Sequence, residues 1–485
     1  MGLFDVFRRR SIQIPQASRA PETQHVTDQM LNDLALAESI YTNKPHWLQE
    51  ESPALEGAGI GPLVAAEVSR LITIEMKVTV EGDNNAELDN VVQKYLLPNM
   101  RDEVEKGWAL GGLVMKPFYQ DATFTLDDEG NVTGVDGRIK IDFKYPAEFI
   151  INNFDASGTI FDISFYSMVS QEQKFYTLVE RQFYDEATET LTITNVAYRT
   201  GHQPTRFKWD NLGSDIVPLT DVKQWENILP KLVFTNMRGT LLGFYRPALA
   251  NNTDLKSPYG LSGLVRAAHA IKRADRTYNN LDWEMDSSLA RLFIDEVSLV
   301  DTTRVPKKVS KMLIRLLGGP QRYFEKFNPT IREANYLRVW NSHLRQVEDV
   351  IGLAHGTISE VEHVAKTASE IKVTKQRTYA MIVGNQEALK DAIEQLVYSI
   401  AIWKNPTAVI EGVSTTFNFD DSITQDAEAK LGSLMTLHSS GLIPGYMVIM
   451  DYYNCDKEEA KKIVAEAAGE LFDDADPSDE PFGTE

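Results

Sequence analysis

The stretch Lys366–Trp403, KTASEIKVTKQRTYAMIVGNQEALKDAIEQLVYSIAIW, decides the fold of this chain because it predicts one long helix. Its apolar residues form a stripe at helical spacing. They are Ile382, Leu389, Ile393, Leu396, Ile400 and Trp403. Asn405-Pro406 ends the helix, since proline disfavours helical geometry in the residue before it. Gly384 is a candidate kink, and a strand-like segment, Thr415–Asp421, follows.

Two helical rods are predicted upstream of this long helix. In the first, Ser262–Leu289, apolar residues recur at three- and four-residue steps, and a rise of about 1.5 Å per residue gives a rod of about 40 Å. The second rod, Glu333–Val350, ends at the glycine-flanked loop Gly352–Gly356. Between them lies a compact insertion, so we predict two antiparallel rods with a tip.

The tip is the basic part of an acidic chain. Between Arg291 and Arg345 there are eleven basic and five acidic residues, whereas the whole chain has a net charge of −21. A solvated surface with chance clustering is the alternative explanation. Within the tip, Phe293–Val300 reads as a strand, Pro306–Leu317 as a short basic helix and Gly318–Pro320 as a turn.

The remaining segments predict an α+β fold. Helices are expected after a Thr27 cap, around Pro62 in the first turn of Leu63–Ile74, and over Ala86–Trp108. From 113 to 207 the residue pattern predicts an antiparallel sheet, with a hairpin turn at Asp127–Asn131 and strands that include Thr205–Trp209. Short helices are predicted over Thr424–Leu471.

Composition limits the possible functions. The chain has 485 residues, 43% of them hydrophobic, which is enough for more than one structural module. Its single cysteine, Cys455, excludes an intrachain disulfide and a cysteine-based zinc site. Strong net acidity argues against a sequence-specific DNA binder, although not against a protein that lets DNA pass. No apolar run approaches the roughly 20 residues of a membrane span.

Motifs that would indicate an enzyme or a cofactor were not found in the sequence. There is no P-loop, and the glycines of Gly57–Gly61 have the wrong spacing for a dinucleotide loop. Ser262 lacks the context of a nucleophile elbow and reads as a helix cap. His355 and His363 lack a zincin motif. We therefore expect no catalytic residue, cofactor or metal.

Several segments, in order, resemble the portal proteins of tailed double-stranded-DNA bacteriophages, specifically those of long-tailed phages of Gram-positive hosts. They are Ser257–Gly260, Ile351–Ile358, Lys366–Ile371, Phe417–Ile423, Ser440–Pro444 and Glu458–Ala460. The ordered set, covering roughly residues 30 to 472, carries the resemblance, and the sheet region diverges most.

The resemblance implies a twelve-fold ring at one capsid vertex, with the named parts of a portal. In chain order the expected parts are a flexible arm (1–25), wing (26–256), first stem helix (257–290), clip (291–332), second stem helix (333–352), channel loop (353–365), long helix with the following strand (366–423), crown (424–472) and disordered acidic tail (473–485). The expected locations are the virion and, during assembly, the host cytoplasm.

The same resemblance implies partners. Double-stranded DNA would pass without sequence-specific binding, and the terminase large subunit and a head–tail adaptor would dock on the clip. Major capsid and scaffolding proteins are further expected partners, and no membrane partner is expected.

Candidate site residues follow from these roles. The DNA-channel candidates are Ser359, Glu360, Glu362, His363 and Lys366. The clip-contact candidates are Lys307, Lys308, Lys311 and Arg315, which could instead pair with acids of a neighbouring clip.

The apolar rod faces are predicted to be completed only by adjacent copies. The interface candidates are Ile271, Tyr278 and Leu344. Charged substitution at Ile271 or Leu344 is expected to block ring assembly and leave soluble protein.

Two other readings remain open. Another ring-forming virion protein, such as a head–tail connector or a baseplate protein, would share the need for neighbouring copies. A cytosolic hydrolase with an unfamiliar site would show turnover and need not form rings.

Overall fold

A computed structural model describes most of the chain and divides it into two compact units, Met1–Asn418 and Phe419–Glu485. The described residues are 26–50, 55–74, 76–81, 86–155, 158–171, 173–207, 209, 212, 215–288, 291–295, 313–316, 324–327, 332–360, 368–407, 414–419, 427–453, 457 and 459–465.

The first unit begins with a layer of short helices. These are α1 (Asp28–Tyr41), α2 (Ile60–Thr73), α3 (Ala86–Val91) and α4 (Met100–Leu110), with strand β1 (Lys77–Glu81) between α2 and α3. The predicted cap is confirmed, because Thr27 Oγ1 accepts a hydrogen bond from the backbone N–H of Met30 at 3.2 Å.

One predicted helix is interrupted. Residues 86–108 were expected to be continuous, but a π-helical turn at Val92–Leu96 and a 3₁₀ turn at Leu97–Asn99 separate α3 from α4. Pro98 is the physical reason, because it lacks a backbone N–H and its ring collides with the carbonyl one turn earlier.

Mainly antiparallel sheets follow, so the α+β class is confirmed at that level. The strands are β2 (Leu113–Leu126), β3 (Val132–Lys144), β4 (Phe149–Phe154), β5 (Ile160–Gln171), β6 (Lys174–Asp185), β7 (Thr190–Thr200), β8 (Ile216–Val217), β9 (Lys231–Phe234) and β10 (Gly243–Tyr245). One sheet has the order β10-β2-β3 and the other β4-β5-β6-β7-β8, with β9 also pairing with β7.

Two predictions for this region, one of a hairpin turn and one of a strand, have different outcomes. The hairpin turn is confirmed, because Asp127 Oδ1 accepts hydrogen bonds from the backbone N–H groups of Glu129 (3.0 Å) and Asn131 (2.7 Å). The predicted strand Thr205–Trp209 is wrong. Its described residues form no strand, and Trp209 donates from its backbone to Thr205 O (2.9 Å), which closes a turn.

Long helices make up the rest of the first unit. They are α5 (Gly263–Arg266), α6 (Ala268–Ser287), α7 (Glu333–Ile351) and α8 (Ala368–Lys404). The helix α8 runs without a break through Gly384 and ends next to Asn405-Pro406, as the sequence predicts. Ser262 Oγ accepts from the backbone of Leu264 (3.1 Å) and Val265 (3.3 Å), so the predicted cap is confirmed.

Helix α8 packs in the same core as earlier helices of this unit, and the strand after it pairs with an early strand. Apolar residues of α8, such as Leu389 and Ile393, belong to the same core cluster as residues of α2, α4, α6 and α7. After α8, strand β14 (Ser414–Asn418) pairs antiparallel with β1, more than 300 residues earlier. The predicted strand at 415–421 is therefore present over its described part.

The second unit contains helices α9 (Ala427–Ser439) and α10 (Gly445–Tyr453), and residues 459–465 are helical. Gly441, at φ +74°, ends α9, since Leu442 N–H then reaches Leu437 O (3.0 Å). The short helices predicted over Thr424–Leu471 are thus present in the described part of this unit.

Candidate functional site

The rods α6 and α7 lie side by side and run antiparallel. At one end the guanidinium of Arg332, which precedes α7, makes two hydrogen bonds to the Glu284 carboxylate of α6, at 2.9 and 2.7 Å. These bonds hold the pKa of Glu284 below its ordinary value. Further along, the rings of Tyr278 and Trp340 lie 6.3 Å apart. The predicted pair of rods is therefore present.

The halves of the rods farthest from the tip are covered within one chain. Ile271 is 2% exposed and Leu344 is 4% exposed, and both belong to the core cluster that includes α8. The premise that these two side chains need a neighbouring copy is wrong, because both are already buried in the core of the single chain. A charge at either position would unfold the subunit rather than block assembly alone.

The halves nearest the tip are different, because they carry large apolar side chains that no described residue covers. Tyr278, the third interface candidate, is 36% exposed and belongs to this set. The other members are Trp283 (65%), Met285 (55%), Leu337 (41%) and Val339 (48%). We call these five residues the distal rod patch. Its members come from both rods, and residues two positions apart on a helix, such as Leu337 and Val339, point about 200° apart, so the set faces more than one side of the rod pair.

A partly buried histidine, His343, lies on α7 near Arg273 of α6. Burial lowers the pKa of His343 on α7, and the nearby Arg273 of α6 lowers it further. The imidazole is therefore expected to be neutral at physiological pH, which avoids a second cation beside Arg273.

The loop that follows α7 is built around one buried carboxylate, Glu348. The helix ends where Gly352 adopts φ +95°, a left-handed conformation that favours glycine. The main-chain carbonyl of Glu348 then accepts from the backbone of Gly352 and Leu353, each at 2.9 Å. The side chain of Glu348 is fully buried.

Each oxygen of that carboxylate has its own donors in the loop. Oε1 accepts from the backbone N–H groups of Ile358 (2.7 Å) and Ser359 (2.9 Å). Oε2 accepts from Ser359 Oγ (2.8 Å) and the backbone of Gly356 (3.3 Å). Hydrogen bonds to an ionised acceptor are the stronger kind. The first half of the predicted channel loop is thus folded onto the end of α7.

Ion pairs attach the same region to α8. His355 lies 3.4 Å from Glu348 Oε2 and, through its other ring nitrogen, 3.4 Å from Asp349 Oδ1. Asp349 also receives Arg377 of α8, with Nη1 2.7 Å from Oδ1. His355 therefore lies between two carboxylates.

The loop candidates have separate positions. Ser359 is 7% exposed and is bound to Glu348, so it cannot face a channel as expected. Glu360 is exposed, and its backbone N–H donates to Asn341 Oδ1 at 2.8 Å. The other three channel candidates, Glu362, His363 and Lys366, lie outside the described residues.

The tip contains a three-stranded sheet with strand order β12-β11-β13. Its strands are β11 (Arg291–Asp295), β12 (Leu313–Leu316) and β13 (Phe324–Phe327). The strand predicted from Phe293 is present, whereas the predicted helix is wrong over 313–316, which pair in parallel with β11. Arg315 lies in β12 opposite Ile294. Lys307, Lys308 and Lys311 lie outside the described residues.

Sequence reasoning missed two buried carboxylates that fix the rods. One is Glu348, whose signal was an acid inside the apolar stripe of α7, just before a glycine. The other is Asp275, which is 2% exposed on α6. It accepts from Trp47 Nε1 (2.9 Å) and from the backbone of Ala58 (3.0 Å). Burial raises the pKa of Asp275.

The described part of the chain has neither a metal-ligand cluster nor a membrane-crossing helix. The described side chains contain no group of three or more histidines, cysteines or carboxylates placed to hold a metal ion. Among the described helices, none combines the length and apolarity that crossing a bilayer requires.

Paired rods, a small tip sheet and a fixed loop between rod and long helix define a multi-part structural subunit. The sequence matches the family model described as "Phage portal protein, SPP1 Gp6-like" over residues 62–471. Because this range is most of the chain, the protein belongs to that family of structural phage proteins. Membership gives it a structural role in the virion and implies assembly into an oligomer.

Other comparisons add little to the family assignment. A chain of a solved structure titled "Virion of native gene transfer agent (GTA) particle" has 9% sequence identity and a TM-score of 0.44. The match covers 90% of this chain and 96% of that one. At that TM-score the likeness supports no argument about fold or function. No curated protein matches the chain in sequence.

Proposed function

We propose that this portal-family protein is the subunit of a dodecameric ring at one vertex of a phage capsid. Double-stranded DNA passes through its channel during packaging and ejection. The rods form the stem, the tip sheet is the clip, and the loop between α7 and α8 faces the channel. The helices of the second unit form the crown, and the protein has no catalytic role of its own.

The distal rod patch is the observation that carries this proposal. Large apolar side chains exposed on more than one side of the two rods favour protein surfaces that cover them. In a closed ring each copy meets the next head to tail, so one surface of a subunit covers a different surface of its neighbour. Such contacts would bury Trp283 and Val339 without any other partner.

The channel loop supports passage rather than tight binding. The exposed carboxylate of Glu360 follows directly on the part of the loop that Glu348 holds. Repeated around a ring, it places negative charge near the duplex and opposes binding to phosphates, whose neutralisation would add salt-dependent affinity. The clip, with its basic sequence, docks the terminase large subunit and the head–tail adaptor.

Ring assembly is tested with Trp283→Glu and Val339→Glu. We expect both variants to fold, with unchanged melting temperature of the monomer, but to form few rings in mass photometry and negative-stain microscopy. Leu63→Glu is the matched control, because Leu63 is a 55% exposed helical side chain outside the rods. Intact rings from both rod variants would refute the proposed role of the distal patch.

A further inference from the structure

A cavity of about 480 Å³ opens beside α8, away from the rods and the loop. Its walls are the turn between β4 and β5, the segment from Arg238 to Arg246, and one turn of α8 that includes Tyr398. Its volume falls in the range typical of small-molecule sites. Nothing in the proposed ring function uses it.

Arg246 is the most unusual residue in the wall. Its guanidinium lies 5.8 Å from the ring centre of Phe244. It also lies against Gly158, where a Cβ atom would be only 2.8 Å from Nη1. Gly158 has φ +89°, so glycine is favoured there for both backbone and space. The glycine allows the guanidinium to lie in the wall of the cavity.

This guanidinium has no counterion among the described residues. Burial lowers the pKa of Arg246, and no described carboxylate opposes that effect. Within the described ranges it forms neither a hydrogen bond nor an ion pair. Ala156 and Ser157, next to Gly158 and outside those ranges, carry no carboxylate. Arg246 is only partly buried, but a charge that has lost part of its hydration is stabilised by an anionic partner, and the cavity beside it leaves room for one.

Together with Arg246, the wall carries two cationic side chains and one acidic side chain. Arg238 lines the cavity, and its backbone N–H donates to Tyr398 Oη (3.3 Å), which fixes this segment on α8. Glu394 is the acid in the wall, and it lies 3.9 Å from Lys390, one helical turn earlier. The negative charge of Glu394 is thus partly neutralised by Lys390, which does not line the cavity.

We propose that this cavity is a receptor for an oxyanion, a phosphate or carboxylate group, with Arg246 as its main ligand. A guanidinium presents a planar fork that binds two oxygens of such a group at once. The group can come from a small dissolved anion or from an acidic side chain of a second copy of this strongly acidic chain.

The free-anion source is tested on the full-length protein by isothermal titration with inorganic phosphate and with citrate, in chloride buffer at constant ionic strength. We expect binding to the wild type and at least about tenfold weaker binding to Arg246→Gln, because charge-assisted hydrogen bonds are lost. Arg138→Gln is the control, since Arg138 is exposed and pairs with Asp121 at 3.3 Å. That control should bind like the wild type.

A separate measurement tests whether the oxyanion is an acidic side chain of a second copy of the chain. If neither anion binds, Arg246→Gln must weaken self-association in sedimentation velocity, with a salt dependence that the wild type has and the variant lacks. Without added anion, the variant should melt no lower than the wild type, because an unpaired, partly buried charge has been removed. Failure of both binding arms, or a much lower melting temperature for Arg246→Gln, overturns the proposal. Ring formation tested at the rods is a separate result.

Discussion

Replacing Glu348 by glutamine tests whether one carboxylate holds the first half of the channel loop. Four hydrogen bonds end on its two oxygens, from the backbone of Gly356, Ile358 and Ser359 and from the Ser359 hydroxyl. Glutamine keeps the shape and one acceptor oxygen. Its amide best occupies the Oε2 position, where Ser359 Oγ can turn to accept, while the long bond from Gly356 is lost.

The expected magnitude follows from this exchange. The two backbone bonds to Oε1 remain but become neutral, and hydrogen bonds to charged groups contribute about 1 kcal/mol more than neutral ones. Together with the loss of the Gly356 bond, this lowers the free energy of local opening of residues 353–360 by about 2 to 3 kcal/mol. At about 1.4 kcal/mol per tenfold change, amide exchange there accelerates by about 30- to 150-fold.

Hydrogen exchange resolved to the peptide 353–360 is the assay, read against peptides of α6 as an internal standard. Glu360→Gln is the matched control, because its side chain is exposed and no bond of the loop depends on it. Unchanged protection of 353–360 in folded Glu348→Gln protein would refute the reasoning, since the loop would then be held by something else.

Three further predictions concern stability and DNA. Because burial raises the pKa of Asp275, its stabilising contribution is complete below the unfolded pKa of about 3.9 and is lost as pH rises through the folded pKa. The unfolding free energy of the wild type relative to Asp275→Asn should therefore fall as pH rises above about 3.9 in urea titrations, and a flat difference would contradict this. Leu344→Ala should cost about 2 to 5 kcal/mol by leaving a core cavity, whereas exposed Leu337→Ala should cost under about 1 kcal/mol; equal losses in urea unfolding would show that Leu344 is not a core residue. Reversing Lys307 and Lys308 to glutamate should lower the DNA content of heads while rings persist, and normally filled heads would exclude a clip contact there.

The sequence predicts those elements whose signals are local. The long helix ends beside Asn405-Pro406 because proline acts on its immediate neighbour. The cap at Ser262 depends on a hydroxyl and two nearby N–H groups, so it too can be read from the sequence.

Non-local pairing accounts for the errors. Residues 313–316 have helix-compatible spacing, but their conformation is decided by β11, which lies about twenty residues away in sequence and pairs with them in parallel. The stripe on α6 and α7 shows which face is apolar and not what covers it. Ile271 is covered by its own chain, whereas Trp283 is not, although both lie on one rod.

The buried position of Ser359 changes what the loop can present to DNA. Both oxygens of the Glu348 carboxylate accept hydrogen bonds from residues 356–359, so neither Glu348 nor Ser359 contributes to a channel surface. The presented surface therefore begins at Glu360, directly after a segment fixed to both α7 and α8. In a ring of identical subunits that fixed segment sets the radius at which the first carboxylate appears, and the same radius recurs in every copy. In the proposed ring, repulsion of phosphates from a circle of charge at constant radius would centre the duplex, an effect that a loosely held loop could not produce, because its charges would retreat from the DNA.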